Sequence, residues 1–436
     1  MQEGFGMSGV RHKIAIVGSG IAGLSAAWLL GRYHDVTLFE RHDHPGMGAF
    51  NLTHKDGSIE ERIDVPLRAF NTCYYKNLVA LYTEMGVEIQ RTDHSASYST
   101  EGNQKTYFSY QYFNVGKRAL PFLGNIKDFN LKSLTIAKDT ARFLIFAKRD
   151  CKKGKVDGFT IEQYLRSNHY SGAFIDEVIL PSFAAICTCS YDAVRKYPAE
   201  IIIDFLADGM LFNGIWRAKH GAEDAIHKML QHCSVLHCNS EVKKIRNNTA
   251  GVQILESNGK VHQFDHVIIA VQANQALKLI SEDEKNAYEL LNKIPYERSE
   301  VVVHSDISLI PSADKDRAPV NFLVDPHQDK PMASIWLNKI YPSLKNSSPL
   351  FQTWNPTITP NETMVLGRSH FERPTVNLKS LAAVKSLNRL HQQRNRKIWY
   401  CGSYAMPGIP LLESAVQSAM SISEKLGADV PWITQT

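Results

Sequence analysis

Two short apolar runs near the start of the chain flank a glycine-rich segment. The first run, Ile14–Val17, is wholly apolar, as expected for a parallel strand that is covered on both faces. The second run, Val36–Phe39, follows a helical stretch and ends at Glu40. The pattern predicts a β-strand, a glycine turn, a helix and a second strand.

The glycines of this segment have the spacing Gly18-x-Gly20-x-x-Gly23. Gly18 permits a tight turn, Gly20 lets the backbone approach a pyrophosphate, and Gly23 lets the helix lie close to the strand. The helix N-terminus then offers free N–H groups and partial positive charge to phosphates. Glu40 can accept hydrogen bonds from the ribose hydroxyls of an adenosine, and it would repel a 2′-phosphate. The segment therefore predicts a dinucleotide site that disfavours NADP. The alternative is a glycine turn that binds nothing.

Further along the chain, apolar runs and turns predict two more groups of strands and a helical region. Runs between 234 and 271 end in HVIIAV, which is almost wholly apolar and is predicted to be a central strand. From 160 to about 230, helical patterns alternate with Pro and Gly, which predicts a helical lobe. A second sheet is predicted from runs at 301–305, 332–336, 351–353 and 364–366, and the chain closes with a strand at 397–401 and a helix at 411–426.

Length and composition indicate an ordinary globular protein. The 436 residues can bury a large core and predict two interleaved domains. A spread-out net charge of +5 gives no reason to expect nucleic acid. The longest apolar runs are far shorter than the roughly 20 residues that a membrane span needs. The N-terminus has no apolar region of the kind found in signal peptides. The seven cysteines are scattered along the chain, which suggests reduced thiols. We therefore expect a cytoplasmic protein. Cys187-x-Cys189 lacks a second ligand pair, so no metal site is predicted.

An apolar segment followed by a basic run leaves two interpretations open. The stretch ARFLIFAKRDCKKGK at 141–155 places apolar residues before several lysines and Arg149. Such a segment could rest on an anionic membrane surface, which would make the protein membrane-peripheral. The other interpretation is a core helix followed by a solvated loop.

Over about residues 11–427 the chain resembles the FAD-dependent amine oxidase and phytoene desaturase superfamily. Within it, the chain is similar to the NAD/FAD-binding oxidoreductases encoded beside cyclopropane-fatty-acid synthases. The resemblance implies an α/β fold with a glutathione-reductase-type Rossmann FAD-binding domain and an interleaved substrate domain, made of a mixed β-sheet plus a helical lobe. The matching stretches include KIAIVGSGIAGLSAAWLL, FIDEVILPSFAAI, FDHVIIAVQANQAL, VVVHSDISLIP and YCGSYAMPGIPLLESAVQSA.

The resemblance also implies domain boundaries and an FAD cofactor. No cysteine or histidine lies in a recognisable flavin-linkage motif, so the FAD is predicted to be noncovalent. The FAD-binding domain would comprise 11–75, 231–290 and 396–430; the substrate domain would comprise 76–230 and 291–395, with the helical lobe at about 120–230. The dinucleotide half of FAD would contact Gly18, Ser19, Gly20, Ile21, Ala22, Gly23, Glu40, Arg41, Gly46, Met47, Gly48, Val242, Ala270 and Val271. The flavin half would lie near Val65, Pro66, Leu67, Arg68, Gly402, Ser403, Pro410, Leu411, Leu412 and Ser414.

Several positions depart from the superfamily pattern. Met47 interrupts the usual second glycine pair, Pro66 replaces a glycine, and Ser403 replaces the common acid. The aromatic pair that encloses an amine in many amine oxidases is not evident around Tyr404. These departures weaken the expectation of an amine substrate.

Hydride transfer to flavin requires a C–H bond placed over N5 and sometimes a base. The candidates are Arg68, which could hold a carboxylate or flank the flavin, His304, which could be a base or a structural histidine, and Tyr404. Three functions follow. The first is an FAD oxidoreductase that dehydrogenates an apolar, lipid-like or secondary-metabolite substrate. The second is a flavin amine oxidase that produces an imine and hydrogen peroxide. The third is a flavin-less binding protein of the same fold.

Overall fold

The first elements of the chain follow the predicted strand–turn–helix–strand order. The computed structural model describes residues 10–47, 50–100, 105–115, 118–123, 131–207, 213–325 and 327–433. Its first three elements are β1 (Lys13–Val17), α1 (Ile21–Gly31) and β2 (Asp35–Phe39). Helix α1 is apolar on every side and buried on every side, since it lies between the sheet and a second helix.

Five parallel strands form the sheet against which α1 packs. In spatial order they are β10 (Val235–His237), β2, β1, β14 (His266–Ile269) and β20 (Ile398–Tyr400). Ile16 pairs with Leu38 on one side and with Ile268 on the other. Strand β14 lies inside the sheet, next to the central β1. Three distant parts of the sequence therefore build one sheet.

The two faces of this sheet have separate cores because side chains alternate along each strand. Ile14 and Ile16 lie on the face that packs against α1 and the last helix, α14 (Leu412–Lys425). Ala15 and Val17 lie on the opposite face, against a three-stranded antiparallel sheet. That sheet consists of β11 (Val242–Asn248), β12 (Gly251–Glu256) and β13 (Val261–Phe264).

A larger mixed sheet of eight strands lies apart from the parallel sheet and is built from residues 96–123 and 296–374. All its neighbours are antiparallel except one parallel pair, which joins Val320–Val324 to Ala96–Thr100. In spatial order the strands are β19 (Val365–Pro374), β15 (Tyr296–His304), β18 (Phe351–Trp354), β17 (Met332–Trp336), β16 (Val320–Val324), β6 (Ala96–Thr100), β7 (Thr106–Val115) and β8 (Arg118–Leu123).

Two strand pairs and the remaining helices connect and cover the sheets. The pairs are β3 (Leu52–Asp56) with β4 (Ile59–Ile63), and β5 (Ile89–Thr92) with β9 (Ile215–Ala218). The helices are α2 (Lys76–Glu84), α3 (Leu131–Lys152), α4 (Ile161–Ser167), α5 (Gly172–Phe174), α6 (Leu180–Cys187), α7 (Tyr191–Arg195), α8 (Ala199–Ala207), α9 (Gly221–Met229), α10 (Ala273–Leu279), α11 (Lys285–Leu291), α12 (Leu337–Ile340) and α13 (Leu378–Leu390). A π-helical turn, Ile175–Ile179, joins α5 to α6. Among the described helices, none is long and apolar enough to cross a bilayer.

Three of the differences between the structure and the sequence-based prediction concern strands β9, β19 and β16. The range predicted as a helical lobe, about 120–230, also contains β9, which pairs with β5. The strand predicted at 364–366 continues to Pro374 because it pairs along the whole of β15. Strand β16 was not predicted; its position between β17 and β6 comes from pairing with distant residues.

Candidate functional site

A cavity of about 1150 Å³ begins where the parallel strands end and continues to the mixed sheet. Its first end is lined by Gly18 after β1, Glu40 after β2, Ala270 after β14 and Gly402 after β20. Ligands of open parallel sheets bind at the carboxyl ends of the strands, so this end is the expected dinucleotide position.

The glycines of the motif hold α1 against the strand ends. Gly18 has a φ of +101°, and a Cβ there would lie 2.9 Å from the Ala270 carbonyl oxygen. A Cβ at Gly23 would lie 2.0 Å from the Gly18 carbonyl oxygen. A Cβ at Gly20 would meet no heavy atom within 4 Å. Gly18 and Gly23 are therefore required by packing, whereas Gly20 keeps the cavity open.

Ser19 and Glu40 form a fixed polar edge of the cavity. The Glu40 carboxylate accepts hydrogen bonds from the Ser19 backbone N–H at 3.1 Å and from the Ser19 hydroxyl. The same hydroxyl accepts a bond from the Gly46 N–H at 2.6 Å, and His42 N–H donates to Glu40 Oε1 at 3.0 Å. The carboxylate is thus oriented by the chain, with part of its acceptor capacity left toward the cavity.

The Arg68 guanidinium joins two of the predicted cofactor segments. It donates to the Pro66 carbonyl at 3.3 Å and to the Met47 carbonyl. The Leu67 N–H donates to Gln352 Oε1 at 2.7 Å, which anchors this loop to the mixed sheet. Four of these residues line the cavity: Met47, Pro66, Leu67 and Arg68. Gly48, also predicted to contact the cofactor, lies outside the described residues.

The loop after β20 and the start of α14 complete this end. Ser403, Tyr404, Leu411 and Leu412 line the cavity. Tyr404 is buried, its hydroxyl has no partner among the described residues, and burial raises its pKa well above the ordinary value.

Glu413, one residue further along α14, does not line the cavity. Its carboxylate accepts bonds from the N–H groups of Asn77 and Leu78, in the first turn of α2. Burial raises the pKa of Glu413. This residue therefore links α14 to α2 rather than facing a ligand.

Most of the predicted cofactor residues line this cavity, and four do not. Val65 is buried in the core of the mixed sheet, and Gly23 acts through its contact with Gly18. The Ser414 hydroxyl donates to the Ile409 carbonyl at 2.7 Å, and Pro410 lies away from the cavity, in the loop before α14. The other described ones are all cavity-lining: Gly18, Ser19, Gly20, Ile21, Ala22, Glu40, Arg41, Gly46, Met47, Pro66, Leu67, Arg68, Val242, Ala270, Val271, Gly402, Ser403, Leu411 and Leu412.

His304 is not part of the cavity, which corrects its assignment as a candidate base. Its ring is fully buried, bonds to the Thr353 hydroxyl at 2.7 Å and stacks on Phe351 with ring centroids 5.5 Å apart. Burial lowers its pKa to about 4. These surroundings favour the other interpretation of His304, that of a structural histidine.

The second end of the cavity is apolar and aromatic, and the sequence analysis did not identify it. The hydroxyl of Tyr98, in β6, forms a hydrogen bond with the Ser182 hydroxyl, with 2.7 Å between the two oxygens. The alternation of Phe108, Tyr110 and Tyr112 along β7 is the signal that could have shown one lining face. Further lining comes from Phe143, Leu144, Phe174, Val178, Ile179, Phe183, Phe205, Phe322 and Trp354.

Replacing the motif glycines should separate packing from ligand binding. Gly23→Ala should lower stability by about 1–3 kcal/mol, since its Cβ has no room beside Gly18. Gly20→Ala should cost no more than about 1 kcal/mol but weaken ADP binding about tenfold, because the methyl group enters space that a pyrophosphate would use. Thermal unfolding and ADP titration test both. Unchanged ADP affinity in Gly20→Ala would contradict this position for the phosphates.

His304→Asn should weaken the pH dependence of stability. In the unfolded chain the imidazole binds a proton near pH 6.5, whereas the folded chain binds it only near pH 4. Stability contributed by neutral His304 is therefore lost as pH falls through that window. Urea unfolding at about pH 7.5 and about pH 5 should show a smaller difference for His304→Asn than for the parent, by up to about 1.4 kcal/mol per pH unit. The exposed His327→Asn is the control, and an equal pH dependence in both variants would refute the prediction.

One known family model matches the segment that contains the glycine motif. Residues 16–85 match the family model described as the NAD(P)-binding Rossmann-like domain. None of the curated proteins matches the chain.

Solved structures of other proteins share the fold over nearly the whole chain. They include the CLA-producing fatty acid isomerase from P. acnes, at 12% identity and a TM-score of 0.68, covering 96% of this chain and 99% of that one. Putrescine oxidase bound to putrescine has 12% identity and a TM-score of 0.64, with 96% and 99% covered. An oxidoreductase from Methanosarcina mazei has 13% identity and a TM-score of 0.62, with 94% and 100% covered. Residues 16–85 thus match a Rossmann-like domain, and the chain shares its overall fold with these three proteins, which confirms the α/β fold class predicted from the sequence and fits the resemblance.

Proposed function

We propose that the protein is an FAD-dependent oxidoreductase that takes a hydride from an apolar, lipid-like substrate. The observation that carries this proposal is the continuity of one cavity, which joins the strand ends of the dinucleotide motif to a second end lined by aromatic and aliphatic side chains. A cofactor in the first end and a substrate in the second would meet inside the protein.

The residues of the first end fit FAD. The open space above Gly20 and the free N–H groups of the first turn of α1 suit a pyrophosphate, and Glu40 suits a ribose. Two residues that line the cavity, Gln272 and Tyr404, each have a buried side-chain oxygen without a partner among the described residues, and such unpaired polar atoms are common beside ligand sites. FAD would supply the hydride acceptor, its N5 atom. A noncovalent attachment follows from the lack of a recognisable linkage motif.

The chain itself would mainly position the substrate and exclude water. At the aromatic end, burial lowers the pKa of His94 to about 4, so this imidazole is neutral at neutral pH. Burial also raises the pKa of Tyr98 to about 12, which keeps its phenol protonated. Leu411 and Leu412, at the N-terminus of α14, line the cavity, so the partial positive charge of this helix end would stabilise negative charge on a reduced cofactor bound there.

The alternative of an amine substrate has less support. Acidic side chains that line the described cavity belong to the first end or are already bonded, as Glu372 is to Arg298 at 2.8 Å and to Asn274 at 2.9 Å. A protonated amine would therefore enter the aromatic end without a carboxylate partner, at a large desolvation cost.

The absorption spectrum of the purified protein tests the cofactor. We expect flavin bands that move into the supernatant after acid precipitation, because noncovalent FAD is released when the protein unfolds. A colourless protein that cannot be reconstituted with added FAD would refute the proposal and favour the binding-protein alternative. Bands that stay with the precipitate would refute only the noncovalent attachment.

The outer surface of α3 supports peripheral membrane contact, which we propose as the route of a lipid-like substrate. Ile145 is 65% exposed and Phe146 45% exposed, and the basic residues Arg149 and Lys152 follow within two turns. Ala141, one turn before Ile145, is exposed and also lines the cavity, so the apolar surface adjoins a cavity wall. Apolar side chains beside basic ones match an anionic lipid surface.

Sedimentation with vesicles tests this contact. Binding to vesicles of phosphatidylglycerol and phosphatidylcholine should exceed binding to phosphatidylcholine alone and should fall as salt rises, since the basic residues are exposed to screening. The double variant Ile145→Ser, Phe146→Ser should bind less. Tyr288→Ser, which removes a different exposed side chain, is the control. Equal binding by both variants would show that α3 is not the contact.

A further inference from the structure

Two arginines of the cavity wall have no acidic partner. Arg68 lies in the loop after β4, and Arg373 lies near the end of β19; both line the cavity. Among the described residues, neither guanidinium forms an ion pair, and Arg68 donates only to the Pro66 and Met47 carbonyls. A guanidinium has five N–H donors and no acceptor, so both side chains retain donor capacity.

The acids closest to Arg373 along the sheet are engaged elsewhere. Glu297 is directly opposite Arg373 in the strand register, but its carboxylate accepts from the Ser190 N–H at 2.7 Å and hydroxyl at 2.8 Å. Lys330 lies 3.5 Å from the same carboxylate. The carboxylate of Glu372, the preceding residue, bonds to Arg298 at 2.8 Å and to Asn274 at 2.9 Å. The strand therefore supplies no counter-charge for Arg373.

Burial and like charge make this arrangement costly. Burial lowers the pKa of the Arg373 guanidinium, and the neighbouring Arg68 guanidinium lowers it further. Two like charges on the wall of a largely apolar cavity destabilise the folded chain unless a third group neutralises them. Residues kept at such a cost are typical of ligand sites.

A third donor without an acceptor lies in the same wall. Asn71 is 1% exposed and lines the cavity three residues after Arg68. Its Oδ1 is occupied by the N–H groups of Cys73 at 3.1 Å and Tyr74 at 2.6 Å, which fixes the orientation of the amide. Its Nδ2 is buried with no partner among the described residues. Asn71 Nδ2 has almost no accessible area and lies behind the cavity surface, whereas the Arg68 and Arg373 side chains are partly exposed. The donors that face the cavity here are therefore the two guanidinium groups, and the group that would pair with them is an acceptor.

We propose that Arg68 and Arg373 bind the carboxylate of the substrate, whose apolar chain occupies the aromatic end of the cavity. This inference rests on the proposed function and narrows its substrate class to amphiphilic carboxylic acids, such as fatty acids. The planar guanidinium group matches a carboxylate and can bind it through two parallel hydrogen bonds. An anionic atom of the cofactor has the same chemistry, and the experiment separates these two sources.

Titration calorimetry with decanoate and with 1-decanol, an uncharged chain of the same length, tests the site. The parent protein should bind decanoate at least about tenfold more tightly than decanol. Arg373→Gln should lower decanoate affinity about tenfold and leave decanol affinity within a factor of about two, since only the anion loses a charged donor. The exposed Arg246→Gln makes the same charge change outside the cavity and should alter neither affinity.

Three outcomes would overturn the proposal. The first is equal affinity of the parent protein for the two probes. The second is unchanged decanoate affinity in Arg373→Gln. The third is an Arg373→Gln variant that loses bound flavin but still prefers decanoate to decanol. That result would show that the Arg373 guanidinium binds the cofactor rather than the substrate. A parent protein that prefers decanoate but cannot take up FAD would refute the proposed function and leave the carboxylate site standing.

The melting temperature of Arg373→Met provides an independent measurement. Removal of a partly buried, unpaired cation should leave the melting temperature unchanged or raise it, because no native ion pair is broken. A clear fall in both Arg373→Met and Arg373→Gln would show that the guanidinium is structural and would overturn the proposal.

Discussion

The close approach of α1 to the ends of β1 and β14 is the constraint on which the site depends. Gly18 turns the chain with a positive φ beside the Ala270 carbonyl, and Gly23 lets the helix lie against the Gly18 carbonyl. The first turn of α1 is thereby held at the edge where four strands of the sheet end. A side chain at either glycine would push the helix away and move its N–H groups out of the cavity. The polar pair Ser19 and Glu40 can serve a ligand only while this contact is kept.

The second constraint is that one cavity crosses from the parallel sheet to the mixed sheet. The loop of Pro66, Leu67 and Arg68 joins the two, since it bonds to Gln352 on the mixed sheet and to Met47 beside the dinucleotide motif. In the proposed function, a substrate at the mixed sheet would therefore lie against a cofactor at the ends of the parallel strands. Few titratable groups are needed for such a reaction, because hydride transfer depends mainly on distance and orientation.

Two of the acidic side chains that line the cavity have bonding partners, whereas two of its arginines have no acidic partner among the described residues. Acids such as Glu40 and Glu372 are bonded to neutral donors or to exposed arginines, whereas Arg68 and Arg373 face the interior without a counter-ion among the described residues. In an apolar enclosure, an uncompensated cation attracts an anion strongly because little water screens it. In the proposed function, the same enclosure would disfavour a cationic substrate, in line with the sequence around Tyr404, where no aromatic pair for an amine is evident.

The sequence by itself determined the dinucleotide half of the protein. Strand, glycine turn, helix and acid are adjacent in the chain, so their local pattern specifies both the fold of β1–α1–β2 and the residues that line the first end of the cavity. The inner position of β14 and the small-residue helix α14 also follow from local composition. His304 shows the limit of this reasoning, since a histidine on a strand looks the same whether it faces a cavity or a core. Only the tertiary structure decided that it is buried against Phe351. The same holds for the aromatic end and for the approach of Arg373 to Arg68, residues separated by about three hundred positions. Contacts of that kind are set by sheet register and by the packing of helices from distant segments, and no local pattern encodes them.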